Sequence, residues 1–324
     1  MEMTKLKYGI MGGASIVPRF VTALKQSDES LAQALATRDI MKTQKLAEEL
    51  DIPVVHATYE DLVADPELDV IYIPLWNKGH FEGAKLAIEA GKNVLLEKPF
   101  TLKTSEAKAL FALAHKHNVF LMEAQKAVFL PVIQKVKAAI DSGKIGKIEW
   151  VDAQQSHPGV EEIPWFEEAT AGGGAYIGSA SYPLSVLQYL FGTGFDSVNG
   201  YLTHLKGKSD TKGQVIVTKG NLMMSSLITT SFQLESRMVI YGTKGKITIP
   251  DYWKTDRAII ETEWQTQKID LPHDSEFVFE IAHVAACLKN GNLTSPIMTP
   301  ELTIATGKVV ETLYQESFGQ DYLC

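Results

Sequence analysis

The residues that could do chemistry begin with a run of small side chains. Gly12, Gly13 and Ala14, then Ser15 and Ile16, separate a short apolar run from a helix-like stretch. At such a junction the unpaired helix N–H groups and the peptide dipole favour a phosphate, and small residues let the backbone approach a pyrophosphate. Only the first glycine of the G-x-G-x-x-G/A pattern is matched, so position carries this inference, and a plain glycine turn is the alternative. The next apolar run ends in Ala36-Thr37-Arg38-Asp39. An acidic residue at this strand end accepts from the ribose 2′-OH of NAD, whereas a hydroxyl and an Arg fork bind a 2′-phosphate. Thr37 and Arg38, with Lys42 one helical turn on, favour NADP over NAD; a solvated Arg38 paired with Asp39 is the competing reading. Two further segments fall at strand ends, where ligands bind in open α/β sheets: Pro74-Leu75-Trp76-Asn77-Lys78-Gly79-His80, and Glu97-Lys98-Pro99.

The elements that must position these residues alternate regularly. Strand-like runs at 7–11, 31–36, 54–55, 70–74, 93–96 and 119–122 are separated by helix-like stretches at 16–25, 41–50, 59–63, 82–90 and 105–117. This alternation predicts a doubly wound parallel sheet, and near-continuous apolar strands fit a sheet covered on both faces. After about residue 123 the pattern changes. One helix, 131–142, precedes strand-like stretches at 147–156, 195–204, 222–232, 237–241, 246–250 and 258–263, and helices at 277–289 and 300–315 finish the chain. Gly242 and Gly245 mark a hairpin. The expectation is an α/β protein: an N-terminal domain over 1–122, and an α+β domain over 123–324 built on an open, mainly antiparallel sheet.

Composition narrows the class. The 324 residues are 45% hydrophobic and 22% charged, with a formal net charge of −8. Apolar content of this order excludes a disordered chain, and net acidity argues against nonspecific affinity for nucleic acid or an anionic membrane. The N-terminal MEMTKLKYGIMGG starts polar, and no run nears the roughly 20 apolar residues of a membrane span, so a cytoplasmic protein is expected. Cys287 and Cys324 cannot build a disulfide framework, and the eight histidines show no ligand spacing with them or with paired carboxylates; no metal is expected.

The strand-end segments also carry a resemblance. AGKNVLLEKPF (90–100), IYIPLWNKGH (71–80), ATRD (36–39), MEA (122–124), SGKIGKI (142–148), GGGAYIGSASYPL (172–184) and VIYGTKGKI (239–247) stand in order along the whole chain. They resemble the glucose–fructose oxidoreductase, inositol dehydrogenase and rhizopine-catabolism (Gfo/Idh/MocA) family, nearest its dihydrodiol and xylose dehydrogenase branch. The EKP tripeptide is the most specific element. The resemblance implies an N-terminal Rossmann domain and a C-terminal domain that binds substrate and joins a homodimer or homotetramer through its open sheet. It implies hydride transfer between nicotinamide C4 and a sugar, polyol or dihydrodiol. Lys98 matches the family lysine beside the nicotinamide, and Tyr182 the family acid/base, so the pair is expected to move the proton; a lysine ammonium stabilises a nearby phenolate. Pro74, Leu75, Asn77, His80, Glu97 and Lys98 join Gly12–Ile16, Thr37, Arg38 and Lys42 as expected cofactor-binding residues. Three departures stand out. Gly178 replaces a family Asp four residues before the tyrosine, Trp76 replaces a frequent proline, and an arginine common near Ala127 and Val128 is missing. The alternative reading is a dinucleotide-binding regulator that does not turn over. A third is a sugar–sugar oxidoreductase that retains its cofactor.

Overall fold

The computed structural model describes residues 5–323, so Cys324 lies outside the described residues. Strands β1 (Leu6–Met11), β2 (Ser30–Ala36), β3 (Val54–His56), β4 (Val70–Ile73), β5 (Asn93–Glu97) and β6 (Leu121–Ala124) form one sheet in the order β3-β2-β1-β4-β5-β6. Every pairing in it is parallel. Helices α1 (Val17–Lys25), α2 (Ile40–Leu50), α3 (Tyr59–Ala64), α4 (His80–Glu89) and α5 (Thr104–His117) lie between the strands. The predicted alternation is therefore observed, with β4 buried at every residue as a doubly covered strand requires. β6 starts later than hydropathy suggests because Val119 still closes α5, its N–H donating to the Ala114 carbonyl at 3.1 Å. The strand order reverses between β1 and β4, which opens a crevice at their carboxyl ends, where dinucleotides bind.

The second sheet follows α6 (Pro131–Asp141), and its first strand is β7 (Ile148–Ser156). Helices α7 (Ala175–Ser179) and α8 (Ser181–Phe191) come next, then β8 (Ser197–His204), β9 (Asp210–Lys219), β10 (Leu222–Thr229), β11 (Arg237–Gly242), β12 (Gly245–Pro250), β13 (Arg257–Thr262) and β14 (Thr266–Asp270). Their order is β14-β13-β12-β11-β7-β10-β9-β8, antiparallel except for the parallel pair β7–β10. β9 and β14 escape a hydropathy reading for a simple reason. β14 is an edge strand with Ile269 as its one aliphatic residue, and β9 faces solvent on one side with Gln214 and Ile216. Helices α9 (Val278–Lys289) and α10 (Pro300–Phe318) complete the chain.

Two compact units result. One takes in the chain to Ala124 together with Ser275–Thr303; the other comprises Gln125–Asp274 and the chain from Ile304. In the first, α9 packs against α1 and β2. Phe20 stacks on Tyr72 at 3.7 Å between centroids and meets Phe277 edge-on at 6.0 Å. Cys287 is buried on α9, with its sulfur 3.3 Å from His283 Nε2. In the second unit the apolar faces of β7, β10, β11 and β12 bury Val151, Met224, Ile240 and Ile247.

Candidate active site

Sequence dictates the first unit's site at the carboxyl end of β1. Gly12 has φ +123°, and an added Cβ would sit 3.0 Å from Leu75 Cδ2 and 3.1 Å from the Pro74 carbonyl oxygen. Only glycine fits this approach between the two strand ends. Gly13, Ala14 and Ser15 are exposed, Ile16 is half-buried, and α1 begins without any side-chain cap on its N-terminal N–H groups. A cradle kept open by glycine, beside a helix start that no side chain caps, fits the pyrophosphate of a dinucleotide.

At the end of β2, Thr37 Oγ1 lies 2.7 Å from Thr43 Oγ1 and donates to the Asp39 carbonyl at 3.0 Å. The Asp39 carboxylate caps α2 by accepting from Met41 and Lys42 N–H at 3.1 and 3.3 Å. Lys42 Nζ stands 3.9 Å from Asp39, and the Arg38 side chain is exposed, with its charge felt by the Tyr59 hydroxyl. The carboxylate at this edge thus serves the helix, while two cations face outward.

Beyond β4, Pro74 and Asn77 are buried, and the Trp76 ring lies across Gly79, where an added Cβ would collide with it. His80 starts α4 and is buried; Nδ1 lies 2.8 Å from the Pro99 carbonyl and Nε2 3.1 Å from that of Leu75. It fastens one strand-end loop to the other, and burial holds its imidazole below the usual range. Beyond β5, Glu97 Oε1 accepts from the Tyr72 hydroxyl at 2.6 Å and Oε2 from the Lys98 N–H at 3.1 Å. The Lys98–Pro99 peptide is cis. Burial lowers the Lys98 ammonium pKa, opposed by the Glu97 and Glu123 carboxyls. Glu123 belongs to the neighbouring strand, where it pairs in register with Leu96. Burial pushes its carboxyl up to about 8, with the Thr303 side chain pulling the other way. It therefore carries a proton at neutral pH. Sequence inspection gave Glu123 no role, although an acid in an otherwise apolar strand is a signal in itself.

In the second unit Tyr182 sits on α8, half-buried, and its ring is 6.3 Å from that of Trp253. Trp253 also meets His157 and Tyr252 edge-on, each at 5.3 Å. The Tyr252 hydroxyl donates to Gln155 Oε1 at 2.8 Å, and Gln155 Nε2 lies 2.5 Å from His157 Nε2. Lys126, only 4% exposed, holds its Nζ 5.8 Å from the centre of the Tyr182 ring. Lys126 and Trp253 were missed, because a single lysine or tryptophan between apolar residues reads as solvated or packed until its neighbour is known. At Gly178, where the resemblance implies an Asp, an added Cβ meets nothing within 4 Å, so the space is open. Among the described residues, no group of three or more His, Cys, Asp or Glu is placed to hold a metal ion, and no helix is long and apolar enough to cross a membrane.

A parallel β3-β2-β1-β4-β5-β6 sheet with a glycine cradle at its switch point is a Rossmann fold of the dinucleotide-binding class. Comparison narrows the class. Residues 6–125 match the oxidoreductase family with an NAD-binding Rossmann fold, and residues 133–248 match the GFO/IDH/MocA C-terminal domain. Trans-1,2-dihydrobenzene-1,2-diol dehydrogenase of Xenopus laevis is 30% identical over 328 residues, covering 97% of each chain. The Mus musculus protein of the same name is 27% identical over 90% of this chain and 91% of its own. The chain belongs to the Gfo/Idh/MocA oxidoreductase family. In fold it is similar to KijD10, a 3-ketoreductase from Actinomadura kijaniata solved with NADP and TDP-benzene (TM-score 0.88, 22% identity, 97% and 98% coverage). It is also similar in fold to aldose-aldose oxidoreductase from Caulobacter crescentus (TM-score 0.87, 19% identity, 98% of both chains).

Proposed function

We propose that the protein is an NADP-dependent dehydrogenase or reductase acting on a CH–OH group of a dihydrodiol, sugar or polyol. Lys98 carries the proposal: a lysine at the end of β5, desolvated, with Glu97 and Glu123 beside it. When bound, the nicotinamide takes a hydride from the carbinol carbon or returns it to a carbonyl. The chain's own task is the proton. Tyr182 accepts it at Oη during oxidation and gives it back during reduction, and the Lys98 ammonium steadies the oxygen that loses it. Gly12–Ile16 hold the pyrophosphate, and Thr37, Arg38 and Lys42 the 2′-phosphate. Pro74, Leu75, Asn77, His80 and Glu97 shape the remaining cofactor wall. The relatives support the substrate class, being named for a dihydrobenzenediol, and KijD10 was also solved with one tyrosine and, separately, one lysine replaced.

The same proposal makes the protein a cytoplasmic homo-oligomer. Tyr201, Ile216, Met223 and Tyr241 support the oligomer, since they share one exposed face of the open sheet. The decisive experiment is a fluorescence titration with NADPH and NADH, followed by turnover of parent and Lys98→Met. Tighter NADPH binding, with turnover abolished and NADPH binding retained in the variant, is expected. Binding of neither dinucleotide, or full turnover by Lys98→Met, overturns the proposal.

A further inference from the structure

The bend that leads into the Tyr182 helix is held by a carboxylate outside the steps described above. Asp210 opens β9 and is fully buried. Its Oδ2 accepts from the Tyr176 backbone N–H at 2.8 Å, and its Oδ1 accepts from the Tyr314 hydroxyl. The Tyr314 oxygen in turn accepts from the Ile177 N–H at 3.1 Å. Helix α7 has no cap from its own N-terminal residue, Gly174, so its first N–H groups depend on these two distant side chains. Ser209 adds a third tie, its hydroxyl donating to the Gly173 carbonyl at 2.6 Å. Gly174 itself has φ +129°, and an added Cβ would run into Asp210, Tyr314 and Ser209. The glycine is there because the Asp210 carboxylate and the Tyr314 and Ser209 hydroxyls fill the space a side chain would need.

What is fixed at α7 is passed to α8. The Ala180 N–H donates to the Tyr176 carbonyl at 2.7 Å, and the Leu184 N–H to the Ala180 carbonyl at 3.1 Å, so the two helices share a joint one turn from Asp210's contact. Tyr182 lies inside that joint. We propose that Asp210 is a positioning residue for catalysis: its carboxylate fixes the start of α7, and through it the direction of the Tyr182 side chain. The catalytic part of this inference rests on the role proposed for Tyr182; the clamp on α7 stands without it.

The clamp has a built-in pH response. Burial is the largest influence on Asp210 and pushes its carboxyl up to about 6, opposed by Tyr314 on α10, the Tyr176 N–H on α7, its own backbone N–H and His204 on β8. Ionised, the group accepts at both oxygens; protonated, one oxygen becomes a donor, so the bond to Tyr314 must reverse or break and the bond from the Tyr176 N–H loses its charge assistance. Stability moves the other way. With its folded pKa above the ordinary 3.8, this group binds protons more readily in the folded state, so acidification from pH 7 to 5 favours folding while it loosens the bend. A residue needed only for the fold would lose both together.

The test is hydrogen exchange by mass spectrometry over residues 173–180 of the full chain between pH 5 and 8, corrected for intrinsic exchange. It is paired with NADPH turnover of a panel of aldoses and diketones. In the parent, protection of the Tyr176 and Ile177 amides should fall away on acidification with a midpoint near 6, together with kcat. Asp210→Asn should show low protection at every pH and a kcat down on the order of tenfold to a hundredfold, with no acid limb. Its KM should be little changed and its Tm at pH 7.5 no lower than the parent's. If Asp210→Asn does not fold, Tyr314→Phe, which keeps the carboxylate, should lose protection at Ile177 and keep it at Tyr176. Protection that does not titrate in the parent, or an Asp210→Asn protein with parental protection and kcat, overturns the inference. Titrating protection in a protein that turns over nothing supports the clamp and counts against the dehydrogenase proposal.

Discussion

Replacing Glu123 with glutamine should stabilise the protein, and by an amount that depends on pH. The group titrates at about 8 in the fold against an ordinary 4.5, because burial opposes its charge. Between those values the folded state keeps a proton that the unfolded chain gives up, so each pH unit of alkalinity costs the fold up to about 1.4 kcal/mol. Integrated from acid, that cost is about 1 kcal/mol at pH 5 and about 3 kcal/mol at pH 7. Glutamine has nearly the same shape and no proton to lose. Any fixed penalty for turning its amide towards Thr303 is the same at both pH values and cancels in the comparison. Urea unfolding of parent and Glu123→Gln, followed by far-UV circular dichroism at pH 5, 6 and 7, should therefore show the variant's advantage growing by about 2 kcal/mol across the series. A difference that stays constant with pH would mean that Glu123 is ionised in the folded protein and that its burial has been misjudged.

Other substitutions probe each unit by itself. Gly12→Val should remove measurable NADPH binding in a fluorescence titration and cost about 1–3 kcal/mol of stability, because the positive φ and the Pro74 carbonyl leave no room for a side chain. Unchanged binding in a folded Gly12→Val protein would place the dinucleotide elsewhere. Lys126→Met withdraws the cation lying over the Tyr182 ring, so the alkaline limb of kcat should move up by about one pH unit while NADPH affinity holds. An unmoved limb would show that Lys126 only packs against the ring.

Much of the first unit is written locally in the chain. An apolar run such as VIYI, four residues long, β-branched and aromatic and closed by a proline, fits a doubly covered strand better than a helix, and a glycine between such a run and a helix points to a tight junction. Lys98 was singled out by the family resemblance of EKP after such a run; by chemistry alone it resembles any solvated lysine. Glu123 is different, since its protonation depends on burial and on Thr303, a residue far along the chain. Lys126, Trp253 and the Asp210–Tyr314 pair share this property, and for Asp210 and Tyr314 the separation is 104 residues. Local pattern records which face of an element is apolar, whereas the partner of a buried polar group is settled by the completed fold. The parallel pairing of β7 with β10 escaped for the same reason, because hydropathy alternation is identical in parallel and antiparallel strands.

The membership of Ser275–Thr303 in the first unit bears on how the protein is made. A ribosome delivers β1 to β6 early, but Phe277, which closes over Phe20, is translated only after the whole of β7 to β14. At roughly 5–20 residues per second, the wait from Ala124 to Thr303 lasts on the order of ten to forty seconds. Throughout it the nascent Rossmann sheet shows uncovered apolar surface around α1 and β2. Emergence of Ser275–Thr303, and not of the first strands, sets the moment when the nucleotide-binding half can close its core, and chaperones that hold apolar nascent segments have their longest opportunity before it.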